Sequence, residues 1–178
     1  MRRRRTVLIS SLTALVVIVA FSIFLGTRQP VTSATDAQSP LLGKVAPRIS
    51  GTELGGGTWS LSKYRGHVVF VNFWASWCGP CKVEAPNLTT FAFTQRHHDV
   101  NVIGVVFDDT VGSATSFSHY YGSLYPSIVD PGGAIANSYG VESPPTTFVI
   151  NAKGRVVATL LGAVSVAQLD AVLKRVRS

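Results

Sequence analysis

From His67 to Trp74 the chain holds an unbroken apolar run, HVVFVNFW, and four residues later Cys78-Gly79-Pro80-Cys81 opens a stretch with helical spacing. An apolar run without polar alternation, rich in β-branched and aromatic residues, reads as a strand buried on both faces of a sheet. Such a strand needs layers on either side of it, which commits the surrounding chain to an α/β architecture. Downstream, Leu88, Phe91, Ala92 and Gln95 fall at i, i+3, i+4 and i+7, the first three apolar, and the spacing predicts a helix over Cys81 to about His98. The cysteine pair is thereby placed at a strand-to-helix junction.

The remaining elements agree with that frame. Ile49 to Leu61, with Gly51, Gly55, Gly56 and Gly57, reads as short strands around a glycine-rich turn. Val100 to Phe107 is a second buried strand, Ser113 to Tyr121 a helix, Ser127 to Val129 a short strand and Ala134 to Tyr139 a short helix. Thr146 to Ile150 and Val156 to Leu161 flank Asn151-Ala152-Lys153-Gly154 as a hairpin. A last helix starts at Ser165, where Gln168 completes a capping box. Its apolar face is Val166, Leu169, Val172, Leu173 and Val176, and Lys174, Arg175 and Arg177 suit the negative end of its dipole. The order βαβα then ββα predicts a mixed central sheet with helices on both faces.

The N-terminus is different in kind. Arg2 to Arg5 precede Val7 to Gly26, twenty residues broken only by Ser10, Ser11, Thr13 and Ser22. Twenty helical residues span roughly 30 Å, the thickness of a bilayer core, and exceed the ~7–15 apolar residues usual in a cleaved signal. The expectation is a signal-anchor over residues 1–26, arginines on the cytoplasmic side and the C-terminal domain outside. Residues 27–43, polar and holding Pro30 and Pro40, read as a flexible tether, and 44–178 as the folded domain. The net charge of +7 does not indicate nucleic-acid binding. Residues 1–40 carry five of the basic groups against one acidic, and the rest carry eleven against eight with no basic stripe.

The cysteine pair carries the chemistry. Two cysteines cannot staple a small scaffold, and a zinc site would need two further ligands. His97 and His98 lie too far along the predicted helix to supply them. A helix start offers unpaired N–H groups and a partial positive charge, which lowers the pKa of a thiol placed there. Cys78 is therefore expected to be the exposed attacking thiol and Cys81 the more buried resolving one, with Pro80 in the first turn, where no N–H is needed. Pro86 removes one backbone hydrogen bond inside the helix and is expected to kink it.

Val71 to Lys82 (VNFWASWCGPCK), followed by Glu84 and Pro86, resembles the thioredoxin-like, membrane-anchored thiol–disulfide oxidoreductases of the TlpA/ResA type. Leu61 to Gly66, Tyr139-Gly140-Val141 with Pro145 to Ile150, and Asn151 to Val157 resemble further segments of that family, so the likeness covers about Lys44 to Ser178. It implies a thioredoxin-like fold and a cis-proline at Pro145 facing the disulfide. It also implies substrate contacts at Trp77, Gly79, Pro80, Pro144 and Thr146, and an acidic residue, Glu84, that accepts or relays the Cys81 proton. Ordinary thioredoxins carry a buried aspartate where this chain has Asn72, which cannot accept that proton. Pro144 also departs from the pattern, since it has no N–H to offer a substrate main chain.

The expected activity is reduction of protein disulfides outside the cytoplasmic membrane, with the haem-site cysteines of apocytochrome c as an implied substrate. Electrons would come from a membrane donor, without cofactor or metal, and the chain would act as a monomer. The same fold working as an oxidant is the nearest rival, although Gly-Pro is the dipeptide of strongly reducing thioredoxins. A thiol peroxidase would need a cysteine outside the pair, and a non-catalytic chaperone would not need the pair. Trp74, His67, His119, Asp108, Asp109 and the aromatic cluster from Phe117 to Tyr125 are read as packing or solvated positions.

Overall fold

The computed structural model describes residues 35–177, together with Val17 and Val19, both helical. The rest of the anchor expected over 1–26, residues 27–34 of the tether and Ser178 lie outside the described residues. No helix among the described residues is long and apolar enough to cross a membrane.

The elements are β1 (Thr35–Asp36), β2 (Ser50–Thr52), β3 (Thr58–Ser60), β4 (Val68–Trp74), α1 (Gly79–Gln95), β5 (Val100–Val106), α2 (Val111–Tyr120), β6 (Ser127–Val129), α3 (Ala134–Tyr139), β7 (Thr146–Ile150), β8 (Val156–Leu161) and α4 (Val166–Arg177). Short 3-10 turns occupy Leu61–Tyr64 and Pro131–Gly133. Six strands form one sheet in the order β1-β8-β7-β4-β5-β6, and β2 and β3 form a separate hairpin. β4 runs parallel to β5 and β5 to β6, whereas β4/β7, β7/β8 and β8/β1 are antiparallel. The sheet is therefore mixed, as the element order requires.

β4 is buried at every position because both its faces are covered. Phe70 on one face meets Leu88 and Phe91 of α1 and Leu169, Val172 and Leu173 of α4. Val69, Val71 and Phe73 on the other face meet Ala136 and Tyr139 of α3 and Trp59 of the β2–β3 hairpin. Trp74 and Val106 pack with Ala114 and Phe117 of α2. α4 opens on the predicted capping box: Ser165 Oγ accepts the Gln168 N–H at 3.3 Å and Gln168 Oε1 accepts the Ser165 N–H at 3.0 Å. α1 begins two residues before its predicted start, continues through Pro86 and stops at Gln95, so His97 and His98 fall in the turn before β5.

One expectation is corrected. The tether is not a free spacer throughout, because from Thr35 the backbone follows the edge of β8. Thr35 and Asp36 pair with Leu161 and Leu160, Ala37 N–H donates to Thr159 O at 2.9 Å, and Gly43 N–H donates to Val156 O at 2.8 Å. Arg155 Nη1 fastens the Gly43 carbonyl at 2.8 Å. An uncovered β8 would present a row of unpaired backbone groups, and this segment satisfies them. Backbone pairing over two residues leaves no side-chain alternation, so the sequence carries no sign of it.

Candidate active site

The strand-to-helix junction positions both sulfurs. Phe107 N–H donates to Trp74 O at 2.8 Å at the end of β4, and Cys78 N–H donates to Ala75 O at 3.2 Å, closing a tight turn. Cys78 is the N-cap of α1, and its Sγ accepts the Cys81 N–H at 3.1 Å. Sulfur here takes the place of the usual capping oxygen, so negative charge on Cys78 meets a helix N–H and the positive end of the dipole. Cys78 and Cys81 are joined as a disulfide with Cα atoms 5.3 Å apart. The expectation that Cys78 is exposed is corrected: it is 4 % accessible against 1 % for Cys81. Its sulfur is turned inward over the first helical turn, and Trp77, Gly79 and Pro80 are the exposed residues around it.

Behind Cys81 lies a polar group enclosed by the core. Glu84, three residues along α1, is only 1 % accessible, so it is not a solvated helix glutamate. Its Oε1 accepts Asn72 Nδ2 at 2.8 Å and its Oε2 accepts the Val164 N–H at 3.1 Å. Asn72 Nδ2 also donates to Thr147 Oγ1 at 3.0 Å, across the β4–β7 register that sets Asn72 opposite Thr147. Burial pushes the Glu84 carboxyl up to about 8, against the pull of the bonds from Asn72 and Val164. The carboxyl therefore gains and loses its proton close to neutral pH. Tyr125, buried nearby, has its hydroxyl pushed above its ordinary range by burial and then by the charge of Glu84.

In front of Cys78 the loop between β5 and α2 grips the active-site turn. Asp109 Oδ2 accepts the Ser76 N–H at 2.6 Å, and Asp108 O accepts the Trp77 indole N–H at 2.9 Å. Asp108 adopts a left-handed φ of 42°, unusual for a residue with a side chain. Asp108 is exposed, as read, and holds the tryptophan only through its backbone carbonyl, whereas the reading of Asp109 as merely solvated is corrected, since its side chain holds the turn preceding Cys78. Trp74 is packing, as expected: it stacks on Phe117 and donates its indole N–H to Ser127 Oγ at 3.2 Å. A β-carbon at Gly104 would collide with Ser127 Oγ and stand 2.5 Å from Trp74 Nε1, so this packing requires glycine there.

The proline loop reaches the same sheet edge through strand register. Phe73 pairs with Thr146, so the turn after β4 and the loop before β7 emerge side by side. The Pro144–Pro145 peptide bond is cis. Pro145 is buried, and its carbonyl accepts the Gly162 N–H at 3.0 Å. Thr146 is buried too, its hydroxyl donating to Ser143 O at 2.9 Å, which occupies the side chain in bracing the loop rather than leaving it free for substrate. A groove of about 590 Å³ opens beside this loop, with Glu142, Ser143, Thr146 and Phe148 on one side and Gln38 to Leu41 on the other. A smaller cavity, about 180 Å³, lies at the far end of the sheet near Pro47, Tyr64 and Ile150, away from the cysteines.

Among the described residues no group of His, Cys, Asp and Glu side chains is arranged to hold a metal ion. Sequence reasoning missed Thr147, Val164, Asp108 and Asp109 as partners of the site. Asn72, a carboxamide inside an apolar strand, was the one visible sign of a buried polar partner.

Residues 42–159 match the AhpC/TSA family. The chain is similar to the thiol-disulfide oxidoreductase ResA of Bacillus thuringiensis, 33 % identical over 79 % of this chain and 82 % of that protein. The thiol:disulfide interchange protein HelX of Rhodobacter capsulatus is 38 % identical over 54 % of this chain and 53 % of its own. Among solved structures, a thioredoxin-family thiol:disulfide interchange protein from Chlorobium tepidum superposes with a TM-score of 0.71 at 25 % identity, covering 81 % of this chain and all of that one.

Proposed function

For a chain that belongs to the AhpC/TSA family and is a thioredoxin-like thiol–disulfide oxidoreductase, we propose the direction and the setting: it reduces disulfides of proteins outside the cytoplasmic membrane while tethered there by residues 1–26. The substrate class is a protein with closely spaced cysteines, and the haem-site cysteines of apocytochrome c are the specific candidate. The observation that carries the reading is the disulfide itself, with Cys78 capping α1 on one side and Glu84 buried behind Cys81 on the other. The arginine run ahead of an apolar stretch supports the tether, and the Gly-Pro dipeptide supports the reducing direction.

In the reduced protein Cys78 thiolate, held by the helix N-terminus, attacks one sulfur of the substrate disulfide. The substrate S–S bond breaks, one substrate thiolate leaves and takes up a proton, and a mixed disulfide joins Cys78 to the other sulfur. Cys81 then gives its proton to Glu84 and attacks Cys78 Sγ. The Cys78–substrate bond breaks, the second substrate thiolate leaves and takes up a proton, Glu84 releases the one it received, and the Cys78–Cys81 disulfide remains. Two electrons have passed to the substrate, and a membrane dithiol donor restores them. We assign the cis Pro144–Pro145 loop and Trp77 to the substrate-facing side of Cys78, because the pairing of Phe73 with Thr146 brings the two loops out at one end of the sheet.

Trapping with the Cys81→Ser chain tests this reading. It is expected to hold extracytoplasmic proteins on Cys78 as mixed disulfides, apocytochrome c among them. A reduction potential near about −120 mV, the range of a strong oxidant, would reverse the direction.

A further inference from the structure

The hydrogen bonds around Glu84 can be counted donor by donor. Val164 offers a main-chain N–H, which donates only and cannot reverse, so Glu84 Oε2 must accept in either charge state. The carbonyl oxygen of a protonated carboxyl is the better acceptor, so the Val164 N–H favours a proton on Oε1, the oxygen facing Asn72. In the observed arrangement that oxygen faces Asn72 Nδ2, itself a donor, and a protonated Oε1 would set donor against donor. The amide already holds the remedy. Asn72 Oδ1 is buried and accepts a hydrogen bond from no described residue, while Nδ2 donates to both Glu84 and Thr147. A half-turn of the amide occupies the same volume and exchanges its oxygen and nitrogen. Oδ1 would then accept from the protonated Glu84 and from the Thr147 hydroxyl, which both donates and accepts, while Nδ2 takes the position where Oδ1 now lies without a partner.

We propose that Asn72 is a proton-coupled positioning residue: its amide rotates by half a turn each time Glu84 gains or loses a proton, and the Thr147 hydroxyl reverses its hydrogen bond in step. The inference rests on the reading of Glu84 as the acceptor of the Cys81 proton and explains how the hydrogen bonds around an enclosed carboxyl adjust when its charge changes. The other titratable group linked to Glu84 is Tyr125 ahead of β6, since Cys81 on α1 is held in the disulfide. β4, β7 and the segment before α4 contribute the neutral groups of Asn72, Thr147 and Val164. An aspartate at position 72 would bring a second titrating group, whereas asparagine leaves the proton to Glu84 and follows it. The observed arrangement corresponds to the ionised carboxylate. A carboxyl pushed up to about 8 makes both arrangements accessible near neutral pH.

The test is a titration of the full-length oxidised chain in detergent between pH 6 and 10. It follows the Glu84 carboxyl by ¹³C resonance and the Asn72 side-chain amide by ¹⁵N resonance, the latter assigned by its loss in Asn72→Ala. The two signals are expected to move with one midpoint. In Glu84→Gln the fixed Val164 donor forces the new NH₂ toward position 72, so the Asn72 amide is expected to stay at its low-pH position throughout. Thr147→Val removes an acceptor that the ionised arrangement needs, and is expected to raise the common midpoint by at least half a pH unit, with Thr147→Ser restoring it. A Glu84 carboxyl that titrates while the Asn72 amide stays still overturns the inference and leaves the relay standing. A carboxyl that does not titrate in this range overturns both.

Discussion

The two sulfurs of the disulfide sit three residues apart in opposite surroundings. Cys78, though buried itself, lies at the outer end of the turn, framed by exposed Trp77, Gly79 and Pro80 and steadied by carboxylate and carbonyl groups of the loop at Asp108 and Asp109. Cys81 lies inside, on a helix face that continues to Glu84, Asn72 and Thr147, all buried. The outer sulfur is served by groups that hold a shape, and the inner one by groups that exchange a proton. The division follows from the helix: its first N–H groups stabilise charge at the cap, and its inward face runs straight into the core.

Changes on either side separate these roles. Cys78→Ser is expected to reduce disulfide reductase activity to background, measured with a fluorescent peptide disulfide, because the attacking sulfur is gone. Glu84→Gln is expected to act on the inner step alone, slowing resolution of a preformed mixed disulfide by roughly 10²-fold at pH 7 while the first attack proceeds. It also has a thermodynamic signature. With its carboxyl pushed up to about 8, the folded protein keeps a proton between pH 4.5 and 8 that the unfolded chain gives up. Stability is therefore highest at the acid end of that window and falls as pH rises through it, by roughly 3–4 kcal/mol from pH 5 to 8. Denaturant melts of Glu84→Gln are expected to lose that slope, and an unchanged slope would show that Glu84 is not its source.

Smaller effects lie on the outer side. Gly104→Ala is expected to cost about 1–3 kcal/mol in the same melts, because a β-carbon there displaces the Trp74–Ser127 hydrogen bond. Its effect on resolution is expected to be slight, since neither residue bonds to Glu84. Pro144→Ala restores a main-chain N–H beside the active site and is expected to tighten binding of a peptide disulfide by about 2- to 10-fold, the worth of one hydrogen bond. Unchanged affinity would show that substrate does not pair with this loop as an added strand.

Much of this was legible in the chain because the signals are local. The apolar run at Val68 to Trp74, the capping pair Ser165 and Gln168, and the spacing of Cys78 and Cys81 each act over a few residues. The roles of Asp108 and Asp109 were not, because their partners lie more than thirty residues away and look like any polar loop in isolation. The strand at Thr35–Asp36 was hidden for another reason, since it pairs through backbone groups that every residue carries.

The sequence by itself determined the chemistry: two cysteines at a strand-to-helix junction, with an asparagine inside an apolar strand. Only the tertiary structure decided how those residues work together. Register between β4 and β7 places Thr147 against Asn72, and the segment before α4 brings the Val164 N–H to the far oxygen of Glu84. These contacts span 75 and 80 residues of chain, and they exist only because folding a mixed sheet closes those distances around one buried carboxyl.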